Sequence, residues 1–373
     1  MQHYQTAMKQ IVSLGILLAI SLLKGTAGNS NDNLQFFGGF QSHSGGIHAH
    51  HAQMRYYTQG LSPAFEIYAG FQTLGKHKWE HLYNFPAMGI GYFRGYPGKR
   101  EILGTVNSGF LFMEFTTRER AAFSSRIKYS LGLAHFSQFH HPETNPENQA
   151  IGTPFNVHFN ANYSFFWRLS PHNQLTTGIS FTHFSNGAYK KPNKGINIFD
   201  FNLGIRHYPG EQKPRHEIPY YGAGINQLPA YNLNVMYAMG KMQKTIEPSQ
   251  YNARSLSMNL SRQSDFTNRW GLGLDVFYDE YIKAEAKEIR QAEAFKEYIH
   301  GAVHLSHDIV FRNLSAIFNL GYYVFYYVEP YKPIFQRIGL RYEFSSGLMA
   351  GLSLKTHYAK ADMVEWGLGY RIF

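Results

Sequence analysis

Cysteine is absent from the 373 residues. Its absence excludes disulfides, thiolate-ligated zinc and the acylated cysteine of a lipoprotein anchor. Long hydrophobic runs are missing too. Beyond the N-terminus no stretch of eighteen apolar residues occurs, which excludes transmembrane helices there. Charge is scarce, at 16% of residues, and leans one way to a formal +10. Such a bias suits an anionic partner, either phosphate-bearing lipid or nucleic acid. No Walker loop, dinucleotide fingerprint, zincin motif or Gly-x-Ser-x-Gly elbow occurs, so the best-known nucleotide, metalloprotease and α/β-hydrolase signatures are excluded.

What the chain does have is glycine and aromatics: 35 Gly, 27 Tyr and 30 Phe. That mixture is too aromatic for disorder, and at a mean hydropathy of -0.34 it is too polar for a bundle of membrane helices. The N-terminus reads as an export signal. Lys9 closes a short basic region, Ile11 to Leu23 are mostly apolar but too few to span a bilayer, and small residues follow at Gly25, Ala27 and Gly28. Residues 1–28 are therefore expected to be a signal peptide. Export favours lipid over nucleic acid as the anionic partner. Residues 29–373 show no domain boundary and no internal repeat, and are expected to form a single domain.

That domain reads as a row of amphipathic strands. In Phe155 to Trp167 the odd positions are apolar or aromatic, while the even ones include Asn156, His158, Asn160, Asn162 and Ser164. Leu314 to Tyr326, Trp270 to Tyr278 and Leu348 to Lys355 repeat the alternation. So does Val364 to Ile372, which ends in Phe373 one residue out of phase. Segments of about ten residues alternating with period two, with aromatics gathered near their ends, are the signature of a transmembrane β-barrel. A soluble β-sandwich also alternates, but it lacks a reason for the aromatic ends. The expected fold is all-β, a transmembrane antiparallel up-and-down barrel of about 14 strands, within a range of 12 to 16. Short connections fall at Ser170–Asn173, Gln263–Thr267 and Ser345–Ser346. Long ones fall at Gln138–Pro154, Asn186–Lys194 and Tyr281–Glu297. The last of these is expected to hold a loop helix from Lys283 to Phe295. Arg206 to Leu228, with several Pro and Gly, reads as a long periplasmic link.

One strand breaks the rule. Leu175 to Asn186 places Leu175, Thr177, Ile179, Phe181, His183 and Ser185 on its odd face, so a polar pair ends an otherwise mainly apolar row. A polar group facing hydrocarbon costs on the order of several kcal/mol, so the pair has to lie at the interface. Residues i and i+2 share a face about 7 Å apart, a gap that an imidazole and a hydroxyl can bridge. The following strand starts at Gly195, and its odd face runs Asn197, Phe199, Phe201, Leu203, Ile205. Asn197 thus projects on the same side as His183 and Ser185, whereas the parity of Asp200 sends it into the lumen. Serine becomes a nucleophile only with a base, and the base needs a group to orient it. The alternative is that His183 and Ser185 are interfacial residues reaching toward head groups. A second "HFS" at His135 to Ser137 has nothing comparable after it.

The run HFSNGAYKKPNKGIN, from His183 to Asn197, resembles the motif of the outer-membrane lipid A 3-O-deacylases of the PagL type, found among the bacterial acyloxyacyl hydrolases. The family pattern is His-x-Ser-Asn, a short loop, Pro-Asn-x-Gly and a third triad member. The resemblance implies Ser185 as nucleophile and His183 as general base. It also implies Asn193, with backbone N–H groups near Asn186 and Gly187, as holders of the oxyanion. Where the family typically has Glu, this chain has Asn197, which can accept the imidazole N–H bond but brings no negative charge. The expected activity is an outer-membrane serine esterase that removes an ester-linked acyl chain from lipid A. It would work without a metal or other cofactor, with the lipopolysaccharide of the outer leaflet as partner. Lys190, Lys191 and Lys194 read either as binders of lipid A phosphates or as solubilising loop lysines. The competing expectation is a non-enzymatic porin or surface-binding barrel.

Histidines also gather at His43, His48, His50 and His51, and at His140 and His141. Imidazoles suit transition metals, but no carboxylate or regular spacing accompanies these. Both groups are therefore expected in exposed loops, with no metal site.

Overall fold

The computed structural model describes residues 34–373 except 51, 211, 214–230, 247–248, 285–297, 327–331 and 359. The expected signal peptide, most of the Arg206–Leu228 link, most of the Lys283–Phe295 helix and His51 therefore lie outside the described residues.

Sixteen strands are described, in two closed sheets of eight. The first comprises β1 (Leu34–Ile47), β2 (Ala64–Thr73), β3 (Ala87–Gly95), β4 (Val106–Arg120), β5 (Phe123–Phe136), β6 (Phe155–Arg168), β7 (Asn173–Ser185) and β8 (Ile196–His207). The second comprises β9 (Asn232–Met242), β10 (Tyr251–Gln263), β11 (Asn268–Asp279), β12 (Ile299–Phe311), β13 (Leu314–Phe325), β14 (Ile334–Glu343), β15 (Leu348–His357) and β16 (Lys360–Arg371). Every pairing is antiparallel between sequence neighbours, and each sheet closes first strand on last. Gly38 pairs with His207 and Ile47 with Ile198 in one closure; Val364 pairs with Lys241 and Arg371 with Asn234 in the other.

The single barrel of about 14 strands is thus corrected to two barrels of eight. Alternation reports which way a side chain points, and it is blind to which strand closes on which. Glycine-rich strands such as β3, with sequence AMGIGYFRG, also alternate too weakly to be counted with ease. The turns at residues 169–172, 264–267 and 344–347 and the long loops at 137–154 and 186–195 fall where the sequence placed them.

The pleat puts one face of each strand toward lipid and the other toward the lumen. In the first barrel Ile179, Phe199, Phe201 and Leu203 stand exposed on the outside, with Phe201 at 75%. In the second, Leu272 and Leu368 are equally bare, at 69% and 72%. Eight strands leave an interior just wide enough for side chains to fill. In the first barrel Arg206 makes a bidentate pair with Glu114, both bonds at 2.8 Å, and Arg126 adds a third at 3.0 Å. The Arg206 guanidinium lies 4.1 Å from the Phe37 ring centroid and 4.5 Å from that of Phe166. Toward the β7–β8 end, Phe184 is fully buried between Phe136, at 5.3 Å, and His158, at 4.9 Å. The second lumen is crossed in the same manner by Arg337, bonded to Asp275 at 3.0 Å and to Glu365 at 2.6 Å.

Removing one partner of a buried ion pair leaves the other charge uncompensated, at a cost of about 3–5 kcal/mol. Glu114→Ala strands two arginines. It is expected to destabilise the first barrel by about that amount, read as a lowered urea midpoint for refolding into detergent micelles.

Candidate functional site

The site begins with register. On β7 and β8, His183 and Asn197 are directly paired residues, and on β6 and β7 Phe159 pairs with His183 and Val157 with Ser185. Opposed residues on one face hold their Cβ atoms about 5 Å apart, close enough for an imidazole to meet an amide. His183, Ser185 and Asn197 all project outward and are half-buried, as their parity requires. Their lumen-facing neighbour Phe184 is locked in the barrel interior, so packing inside holds the strand end that presents the pair outside.

The three side chains form one hydrogen-bonded row. His183 Nδ1 lies 2.5 Å from Asn197 Oδ1, and His183 Nε2 lies 3.0 Å from Ser185 Oγ. Asn197 Oδ1 can only accept, so Nδ1 carries the proton and Nε2 is left to accept from the serine hydroxyl. That is the tautomer in which an imidazole can take a proton from a nucleophile. Below the row lies a patch of lipid-facing rings, with Phe181 and Phe199 tilted against each other at 48° and their centroids 5.0 Å apart.

The loop between β7 and β8 frames the serine. Gly187 and Ala188 both adopt positive φ, 62° and 66°, turning the chain sharply after Asn186. The Asn186 N–H was expected among the oxyanion donors; instead it donates to Asn193 Oδ1 at 3.2 Å, which ties down the acceptor end of that amide. The Asn186 side chain donates to Thr153 Oγ1 at 3.3 Å. Lys190 is exposed, while Lys191 and Lys194 are half-buried. Partial burial lowers the Lys194 ammonium from its ordinary value. The Lys194 and Gly195 N–H groups bind the carbonyls of Gln149 and Ala150, at 3.2 and 3.0 Å, and so strap this loop to the one between β5 and β6.

Asp200 lies in the lumen, as its parity requires, bonded to His43 at 2.8 Å and to Ser180 at 2.7 Å. This cluster of a histidine, a serine and an aspartate is buried in the lumen, and its serine donates to the aspartate rather than to the histidine. In the second "HFS" the Ser137 hydroxyl is engaged elsewhere, accepting the Thr105 N–H at 2.8 Å. The exposed-loop expectation is corrected for His43, which is a buried lumen residue at 4% exposure. Among the described residues no group of His, Cys, Asp or Glu is arranged to hold a metal ion.

Two participants escaped the sequence reading. His50, weighed there only as a metal ligand or loop residue, accepts from Asn197 Nδ2 at 3.1 Å and donates Nε2–H to the Lys194 carbonyl at 2.8 Å. Nothing local marks it, since the contact spans 147 residues. Gly195 has φ +72°, and a Cβ there would lie 3.0 Å from His183 Cε1 and 3.1 Å from the Phe184 carbonyl. Its place in the Pro-Asn-x-Gly run was the available signal.

Gly195→Ala is therefore expected to strain the turn and push the imidazole aside. Small misplacements of reacting groups are costly, so labelling of Ser185 by a fluorophosphonate should slow by about tenfold or more in barrels that still fold.

Comparison with known proteins matches each barrel separately. A model described as lipid A 3-O-deacylase (PagL) matches residues 63–206, and one described as acyloxyacyl hydrolase, C-terminal domain, matches residues 230–373. A search of curated proteins returned no match. Solved structures with some likeness include Neisserial surface protein A, with 11% identity over 46% of this chain and 96% of that one, at a TM-score of 0.32. The toluene transporter TodX of Pseudomonas putida has 9% identity over 92% of this chain and 90% of that one, at a TM-score of 0.19. The outer membrane protein Omp33 of Acinetobacter baumannii has 10% identity over 92% of this chain and 99% of that one, at a TM-score of 0.17. It is the two family models, one matching most of each barrel, that identify the chain: it belongs to the outer-membrane family of PagL-type lipid A 3-O-deacylases and bacterial acyloxyacyl hydrolases.

Proposed function

We propose that the protein is a serine esterase that removes an ester-linked acyl chain from lipid A, with Ser185 as nucleophile, His183 as general base and Asn197 as its orienter. The observation that carries this reading is the unbroken row from Ser185 Oγ through His183 to Asn197 Oδ1 on the outward face of the first barrel. There the reacting groups sit beside lipid, and an ester-linked chain reaches them without crossing water.

Ser185 Oγ attacks the ester carbonyl carbon as His183 Nε2 takes the hydroxyl proton. The carbonyl oxygen becomes an oxyanion, held by the Asn193 Nδ2–H and the Gly187 N–H. Collapse breaks the carbon–oxygen bond to the sugar, and His183 returns its proton to the departing alkoxide. The acyl group is left on Ser185, and a water activated by His183 releases it as a fatty acid. Asn197 holds the imidazole in the required tautomer throughout, without the charge stabilisation a carboxylate brings. Lys190, Lys191 and Lys194, on the loop that follows the serine in sequence, would hold lipid A phosphates by charge.

The porin reading has less support. The first lumen is filled by the Glu114–Arg206–Arg126 network and by buried rings, which leaves the outer wall as the place for chemistry.

Ser185→Ala and His183→Ala should each abolish loss of an acyl chain, read by mass spectrometry of lipid A from cells producing folded protein; unchanged profiles in both would sink the esterase. Asn197→Asp restores a carboxylate at the same reach. It is expected to match or exceed the native rate in deacylation assays on purified lipopolysaccharide.

A further inference from the structure

We infer that His50 is a positioning residue for this site, which decides which end of the Asn197 amide faces His183. The inference rests on the esterase reading above and adds a residue that lies before the stretch matched by the deacylase model, which begins at residue 63.

An amide at the third position raises a problem that a carboxylate does not. A carboxylate offers an acceptor oxygen to the imidazole whichever way it is turned. The two ends of an asparagine amide are nearly equal in size and opposite in hydrogen-bonding sense. If Asn197 turned its NH2 toward His183, Nδ1 would have to accept and the proton would move to Nε2. Nε2–H would then point at Ser185 Oγ, and the base could not take the serine proton.

His50 removes the ambiguity. Its Nε2 faces the Lys194 carbonyl at 2.8 Å, and a carbonyl can only accept, so Nε2 carries the proton. Nδ1 is left as an acceptor and faces Asn197 Nδ2 at 3.1 Å, which fixes the NH2 end toward His50 and Oδ1 toward His183. The backbone helps, since the His48 N–H donates to the Asn197 carbonyl at 2.8 Å and brings this loop against the start of β8. The row therefore runs in one direction, from the Ser185 hydroxyl through His183, Asn197 and His50 to the Lys194 carbonyl that ends it.

The test exploits the sign of the hydrogen bond. His50→Ala, His50→Gln and His50→Lys are made in the full chain, each with Asn197 and with Asn197→Asp. Folding is checked by heat-modifiable electrophoretic mobility, and the readouts are fluorophosphonate labelling of Ser185 and lipid A deacylation. With Asn197 present, His50→Ala should slow both by about tenfold, because the amide is no longer fixed. Gln offers an acceptor and a donor and should recover most of the rate. Lys only donates, so it should hold Asn197 the wrong way round and be worse than Ala. With Asp at 197 there is no wrong way round, and the Ala and Lys variants should differ by less than about threefold. Equal losses for Ala, Gln and Lys in both backgrounds, or no loss with Asn197 present, would overturn the inference. Deacylation that survives Ser185→Ala would instead overturn the esterase reading, so the two failures are distinct.

Discussion

An eight-stranded wall encloses little more than the volume of its own inward side chains, and the first barrel is organised around filling that volume. Arg206, Glu114 and Arg126 satisfy one another there among aromatic rings, and Phe184 closes the packing near the mouth. Because the strand period is two, a residue locked inward also fixes its neighbours outward. The burial of Phe184 is thus the same fact as the outward placement of His183 and Ser185. A one-residue slip of β7 would bury the pair and expose Phe184 and Thr182. The packed lumen therefore sets the register on which any chemistry at the wall depends.

This explains why so much of the site was legible in the sequence. Parity alone put His183, Ser185 and Asn197 on one face and Asp200 on the other, and no tertiary information was required for that. Alternation tells nothing about closure, which is decided by hydrogen bonds between strands far apart in the chain. Pairing of Gly38 with His207 and of Val364 with Lys241 divides sixteen similar strands into two rings, and no local pattern announces either contact. His50 was illegible for the same reason: it reaches Asn197 from a loop 147 residues away.

The second barrel shows what a histidine on the outer wall looks like without a serine hydroxyl bonded to it. His307 of β12 lies flat on Trp270, with ring centroids 4.0 Å apart, and its Nε2 meets Asn268 Oδ1 at 2.9 Å. Histidine, aromatic ring and amide at the rim of a barrel are ordinary interfacial furniture, apolar on one side and wet at the tip. What distinguishes His183 is that both ring nitrogens are engaged by side chains of opposite sense, an acceptor at Nδ1 and a hydroxyl at Nε2.

That opposition also bears on how an amide can serve as the third group of the row proposed above. At the lipid boundary an unpaired carboxylate is expensive to desolvate, whereas an amide is cheaper there but ambiguous in direction. Direction can be supplied from outside the pair by a group whose own sense is beyond doubt. A backbone carbonyl is such a group, and the Lys194 carbonyl transmits its sense through His50 to Asn197. On the reading proposed above, a fixed direction stands in for the fixed charge that a carboxylate would bring. The hydrogen bond to Asn197 selects the imidazole tautomer, and in the proposed reaction the imidazolium formed on proton transfer would be stabilised by dipoles rather than by a counter-ion.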